Sequence, residues 1–167
     1  PSYAKLLDYR GDYLKASKIN ASKLRGSLDF DPASYALLHG HFYSSPEKDM
    51  AEAASIIKRA NAEFPGLRVL SVNGSYFHNS GATTVQELAF SLASGNEYLA
   101  VLTDKGLKAG EIAPFIQFSF CIGSSYFIEI ARLRAARLLW AQIVKQYNPE
   151  SETAAEMHIH CSTSGWN

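Results

Sequence analysis

The stretch "FIQFSFCIGSSYFIEIARLRAARLLWAQIVKQY", Phe115 to Tyr147, decides the fold. Its first eight residues alternate, with Ile116, Phe118 and Phe120 on one face and Gln117 and Ser119 on the other, the period of two that a strand requires. After Gly123 the period changes. From 125 to 147, Tyr126, Ile130, Leu133, Ala136, Trp140, Val144 and Tyr147 recur at helical spacing and predict one long amphipathic helix. A strand with one polar face that feeds a helix is a β/α unit, so the question becomes how many such units the chain holds.

Working outward, the same unit recurs. Upstream, "LRVLSVNG" (67–74) is a candidate strand, Ser75 to Thr83 a polar turn, and Thr84 with Glu87 matches the capping box of a helix running to about Leu102. Further back, "LRGSLDF" (24–30) is a strand, followed by a helix with Ser45 as N-cap, Pro46 in its first position, and an apolar stripe of Met50, Ala53, Ile57, Ala60 and Phe64. Pro65 and Gly66 end it. Downstream, "EMHIHCST" (156–163) is a last strand, and the first twenty residues contain helix.

About four strands alternating with helices predict an α/β fold with parallel strands joined by right-handed crossovers. In a doubly wound sheet both strand faces lie under helices and read as continuous apolar runs. Here one face stays polar throughout: Ser27 and Asp29, Ser71 and Asn73, Gln117 and Ser119, then His158, His160 and Ser162. That pattern suits part of a TIM (β/α)8 barrel with a polar axis and helices outside. A whole barrel takes about 250 residues. Residues 1–167 are therefore expected to form a single, partial barrel domain completed by further sequence or by another chain, with edges that favour self-association.

Composition narrows the functions. Hydrophobic residues make up 47% of the chain, enough for a sizeable core, and sixteen basic residues balance sixteen acidic ones, which argues against a nucleic-acid partner. No apolar run has the length of a membrane span and no secretory pattern opens the chain, so a cytoplasmic location is expected. The first residue is Pro1 rather than Met, which suggests a processed or excised chain. Cys121 and Cys161 lie far apart in apolar segments and are expected to be reduced thiols in the core.

Few motifs carry chemistry by themselves. His39-Gly40-His41 and His158-Ile159-His160 are the only candidate metal ligands, and no Cys or carboxylate lies at ligand spacing beside either pair. Hydrogen-bonded histidines lining a polar interior are the preferred reading, and no metal is expected. Neither Gly123-Ser124-Ser125 nor "STSG" (162–165) is a nucleophile elbow or a phosphate loop. Glu129, Arg132, Arg134 and Arg137 are expected to form exposed pairs on their helix. Tyr76 and His78 have the chemical type of acid/base groups, which periodicity alone does not settle.

"GATTVQELAFSLASGNEYL", "IGSSYFIEIARLRAARLLWAQIV" and "HCSTSGWN" go beyond generic pattern. Together they resemble the methylmalonyl-CoA mutase family of adenosylcobalamin-dependent acyl-CoA mutases over about residues 24 to 167. The resemblance implies a (β/α)8 barrel whose axis is threaded by coenzyme A, and cobalamin held on a separate domain through a DxHxxG motif that this sequence does not contain.

The family's functional positions carry over one at a time. Where the catalytic chains read "GYHMQEAGAT", this one reads "GSYFHNSGAT", so Tyr76 takes the place of the histidine that bonds the substrate thioester. Asp29 replaces the glutamine of "GTIQND", and His39 the arginine that pairs with the substrate carboxylate. Phe115 replaces an arginine that helps to hold coenzyme A, placing an aromatic ring where coenzyme A would pass. Ser162 replaces the glutamine of "HCQTSGW", and Thr153 a lysine shortly before that strand. Ser27 and Gln117 are residual substrate-binding positions and Gly165 a residual cofactor position.

Removing the arginine at 39 takes away the planar fork suited to a carboxylate, and Asp29 would repel an anionic substrate. The resemblance therefore implies the small subunit of a heterodimeric mutase. In that reading this chain is catalytically inert and binds no cofactor itself. Its partner is the large catalytic subunit, which carries adenosylcobalamin and interconverts methylmalonyl-CoA and succinyl-CoA. Two rivals stand beside it: an active acyl-CoA mutase with altered substrate choice, and a regulatory module that senses an acyl-CoA.

Overall fold

A computed structural model describes residues 3–165. The elements follow in order as α1 (Tyr3–Ala16), β1 (Gly26–Ser27), α2 (Pro32–His39), α3 (Pro46–Glu63), β2 (Leu67–Arg68), β3 (Leu70–Asn73), α4 (Gly74–Asn79), α5 (Thr84–Asp104), α6 (Ala109–Ile112), β4 (Ile116–Ile122), α7 (Tyr126–Lys145) and β5 (His158–Thr163). Short 3-10 turns cover Ala113–Phe115 and Glu152–Ala155. Trp166 and Asn167, the end of the "HCSTSGWN" motif, lie outside the described residues.

All strand pairs are parallel. β1 pairs with β2 (Gly26 opposite Leu67), β3 with β4 (Leu70 opposite Ile116) and β4 with β5 (Gln117 opposite His158). Leu28 N donates to Arg68 O at 2.7 Å and extends the β1–β2 pair by one bond, while isolated backbone bonds tie the two sheets together: Val69 N donates to Phe115 O at 3.0 Å, and Ser71 N to Phe30 O at 2.9 Å. The mixed α/β fold with parallel strands is thus as the alternation predicts. β1 is shorter than the stretch 24–30, because beyond Ser27 the chain keeps only single bonds to its neighbour and turns toward the N-cap of α2.

Helix signals translate into geometry with three corrections. α3 starts where read, with Ser45 Oγ accepting from Lys48 N and Pro46 in the first turn, and its stripe of Met50, Ala53, Ile57 and Ala60 is buried. The N-cap of α5 is Thr83 rather than Thr84: Thr83 Oγ1 accepts from Gln86 N while Gln86 Oε1 accepts from Thr83 N at 2.9 Å. Both Thr83/Gln86 and Thr84/Glu87 fit the box, and Glu87 is committed elsewhere. The stretch read as a turn, Ser75 to Thr83, holds the six-residue helix α4. On α7, Ala136, Trp140 and Val144 are buried, but Tyr126 and Ile130 at the head of the same stripe are exposed.

The core lies between the strands' apolar faces and α3, α5 and α7, where Leu70, Val72, Ile116, Phe118 and Phe120 meet Trp140 and Leu99. Each such side chain contributes about 1.5–3 kcal/mol through burial. Gly95 sets the closeness of α5 to this layer, since a Cβ there would come within 2.7 Å of Phe118 Cζ and 2.9 Å of Trp140 Cζ3. Cys121 is buried as expected. Cys161 is exposed, because β5 has a strand neighbour on one side only among the described residues. Among those residues no helix is long and apolar enough to cross a membrane.

Candidate functional site

Two polar clusters sit at the carboxyl ends of the strands, the place where parallel α/β folds put ligands. The first follows β1 and β3. Asp31 caps α2 by accepting from Ser34 N at 3.1 Å through Oδ1, which also accepts from the Tyr98 hydroxyl at 2.5 Å. Its Oδ2 accepts from Asn73 N at 2.9 Å and Asn73 Nδ2 at 3.0 Å, and that same amide donates to Asp29 Oδ1 at 3.0 Å. Tyr98 in turn accepts from Ala33 N at 3.0 Å.

A cleft of about 60 Å³ opens beside these groups, lined by Asp29, Asp31 and Asn73 and walled by Tyr35, His39, Tyr43 and Tyr76. Tyr35 lies between His39 and Tyr43, with ring centroids 4.3 and 3.9 Å away. Among the described residues no Lys or Arg lines the cleft, so its charge is carboxylate charge. The consequences show in the ionisable groups. Burial pushes the Asp31 carboxyl up, against the opposing pull of Ser34, Tyr98 and Asn73. Burial, and behind it the field of Asp29 and Asp31, holds the Tyr76 phenol above its ordinary value, so it stays protonated. Tyr43 is raised by burial, by its bond to Tyr3, and by the same two carboxylates.

The second cluster follows β4 and β5. Glu87 on α5 is fully buried and bonds three ways: Oε1 accepts from Cys121 N at 3.0 Å, and Oε2 takes both the Arg132 guanidinium and His78 Nδ1, the latter at 3.1 Å. Arg132 also bonds Cys121 O and pairs with Glu129 Oε2 at 2.5 Å, while Glu129 Oε1 accepts from Gly123 N at 3.0 Å. Its guanidinium lies 5.3 Å from the centre of the Phe120 ring. The expectation that Glu129 and Arg132 form exposed pairs is overturned. They are 6% and 4% exposed, since their phase on α7 is that of Ala136 and Trp140.

His78 completes the chain of contacts, its Nε2 lying 2.8 Å from Ser164 Oγ. The order Ser164, His78, Glu87 copies that of a hydrolytic triad, but Ser164 is 6% exposed and the carboxylate is shared with a guanidinium. The arrangement serves to tie β5 to α4, α5 and α7.

The residues singled out in the sequence divide accordingly. Asp29, His39 and Tyr76 converge on the first cleft, although 47 residues separate Asp29 from Tyr76 in the chain. Ser27, Gln117 and Ser162 lie along the strands away from it, Thr153 is exposed in the turn before β5, and Gly165 is exposed beyond β5. Phe115 corrects its expectation. It is 3% exposed within the core, so its ring does not enter the polar face of the strands. Asp31 and Tyr98 were not singled out, because a contact across 67 residues leaves no local trace. As for metals, His39 and His41 pack around Tyr35 with centroids 6.2 Å apart, and His158 and His160 are exposed on β5. Among the described residues no three His, Cys, Asp or Glu form a set that would hold an ion.

Sequential parallel strands with helices between them, and a cleft at the strands' carboxyl ends, define an α/β protein with an enzyme-like site architecture. A family model for methylmalonyl-CoA mutase matches residues 10–167, and the chain belongs to that family. It is 42% identical over 165 residues to a methylmalonyl-CoA mutase small subunit of Porphyromonas gingivalis, covering 98% of this chain and 26% of that one. A methylmalonyl-CoA mutase of Rhizobium meliloti is 37% identical over 147 residues, with 88% and 21% covered. The Porphyromonas gingivalis large subunit is 32% identical over 158 residues, with 93% and 22% covered. The chain thus spans 21% to 26% of the length of these relatives.

Proposed function

We propose that this chain is part of the small, non-catalytic subunit of a cytoplasmic methylmalonyl-CoA mutase, contributing one partial (β/α)8 barrel domain and pairing with a large catalytic subunit. The observation that carries the reading is the first cleft. Three positions that would meet the substrate's reacting end, Asp29, His39 and Tyr76, converge there, and among the described residues the cleft is lined by carboxylates and no arginine. An anionic acyl thioester needs the reverse, a fixed cationic fork for its carboxylate. Tyr76 remains a protonated phenol and does not offer the imidazole of the catalytic chains.

Adenosylcobalamin belongs on the partner in this reading. The imidazoles at the strand ends are engaged, His78 between Ser164 and Glu87, and His39 against Tyr35, and neither is presented as a ligand to cobalt. When bound to the large subunit, the cofactor supplies the radical that rearranges the substrate's carbon skeleton. This chain's part is to support that subunit.

The test is to co-purify the full-length chain with its large subunit and change Asp29, His39 and Tyr76 together to Ala. Mutase activity within about twofold of the parent in an intact heterodimer is the expected result, because surface and cleft changes outside the working site leave transition-state binding untouched. Loss of activity with the heterodimer still assembled would overturn the reading.

A further inference from the structure

Away from both clusters, α1, the 3-10 turn Ala21–Lys23 and the chain leading into β1 line a cavity of about 410 Å³. Its walls are apolar, built by Tyr13, Leu14, Ile19 and Leu24, and three cations stand among them, Arg10, Lys23 and Arg25. Among the described residues no carboxylate lines it. The chain as a whole has as many acidic as basic residues, so the imbalance is local. The turn beside the cavity is also strained. α1 ends in a Schellman motif, with Ile19 N donating to Leu14 O at 2.9 Å and Lys18 N to Lys15 O at 3.2 Å. Lys18 holds the left-handed position of that motif at φ 54°, where glycine is the usual residue. In such a motif the residues at 14 and 19 commonly cover each other. Here both line the cavity, and Ile19 stays 46% exposed.

We infer that this cavity binds a medium-chain carboxylate, its head among Arg10, Lys23 and Arg25 and its aliphatic tail against Tyr13, Leu14, Ile19 and Leu24. Arg25 is held ready for the head. Its Nη1 donates to Ser22 O at 2.7 Å and to Leu24 O at 3.0 Å, which fixes the guanidinium over Gly66, where a Cβ would come within 2.2 Å of that nitrogen. Nε and Nη2 make no hydrogen bond among the described residues, and that edge offers a carboxylate two parallel donors. Arg10 and Lys23 form no ion pair among those residues. Behind Arg25, burial and the Arg25 charge hold the Arg68 guanidinium below its ordinary value, and Arg68 Nε is buried without a partner. Like charges gathered in this way repel, and an anion relieves them. A free phosphate would leave the apolar walls uncovered, whereas an apolar cavity with a few placed polar groups suits an amphipathic ligand. The inference does not rest on the subunit reading, because none of these residues is among the family positions of the first cleft.

Calorimetry and amide-shift mapping on the full chain, with monomeric decanoate and with decylammonium and butyrate as counterparts, test the proposal. Decanoate should bind with shifts centred on Tyr13, Ile19 and Leu24, and decylammonium should cause none. Butyrate should bind at least about a hundredfold more weakly, since most of the apolar body is gone. Lys23 is exposed and makes no ion pair, so Lys23→Gln keeps the fold; it should weaken decanoate about threefold. Arg25→Gln removes the paired donors and should weaken it about tenfold. Ile19→Ser should weaken decanoate while leaving butyrate unchanged. No binding of decanoate, equal binding of decylammonium, an unchanged affinity in both Lys23→Gln and Arg25→Gln, or a response only to phosphatidylglycerol vesicles would each overturn it.

Discussion

The two clusters at the carboxyl ends of the strands occupy equivalent places in successive β/α units, yet they handle charge in opposite ways. Around β4 and β5, Glu87 and Glu129 are buried with Arg132 between them, and every carboxylate oxygen faces a guanidinium or a backbone or imidazole nitrogen. Around β1 and β3, Asp29 and Asp31 share an amide and have no cation among the lining residues. The cluster at β4 and β5 is closed and holds elements together. The one at β1 and β3 is held by neutral donors and left beside a cleft.

The comparison is broken most severely at Arg132. Replacing it with Leu strands two buried carboxylates and should cost about 3–5 kcal/mol in urea unfolding; a loss under 1 kcal/mol would mean the cluster is wetter than its burial indicates. Asp31→Asn comes next. It keeps the shape but replaces one acceptor oxygen with an NH2 group that faces donors, so a loss of about 2–3 kcal/mol, with fraying of α2 seen by amide exchange, is expected. Asp29→Asn sharpens the contrast by doing little: an exposed carboxylate beside another carboxylate should change stability by no more than about 0.5 kcal/mol, and in the stabilising direction.

A smaller effect is expected on β5. Burial, followed by the charges of Arg68 and His160, holds the His158 imidazole below its ordinary value. Above pH 6.5 the ring is neutral in both folded and unfolded chains and contributes nothing. As the pH falls below that, the unfolded chain takes up the proton more readily and the folded state loses stability. His158→Gln should therefore flatten the stability profile between neutrality and pH 5, measured by urea midpoints; an unchanged slope would exclude His158 as a source.

These clusters also mark how far the sequence could be read. The β/α alternation, the Ser45–Pro46 start of α3 and the polar strand faces were legible because period and capping are local. The pairing of strands follows from them. Glu87 and Arg132 were misread although their phase was visible: Glu87 shares the stripe of Leu88, Ser91, Leu92 and Gly95, and Arg132 that of Glu129 and Ala136. A charged residue in an apolar stripe is either an error of phase or half of a buried pair, and only the partner on another helix distinguishes them. Asp31 was invisible for the same reason, since Tyr98 and Asn73 reach it from far along the chain.

The strand order has one more consequence, for how the chain is made. Among the described residues every strand pair joins strands consecutive in sequence, β1 with β2, β3 with β4, and β4 with β5, while β3 follows β2 directly without pairing with it. A chain leaving the ribosome can therefore lay each strand and helix against finished neighbours, one layer at a time. The side that has just been laid is always the reactive one, and at the end of the described chain that side is β5, with Cys161 and both of its histidines facing outward.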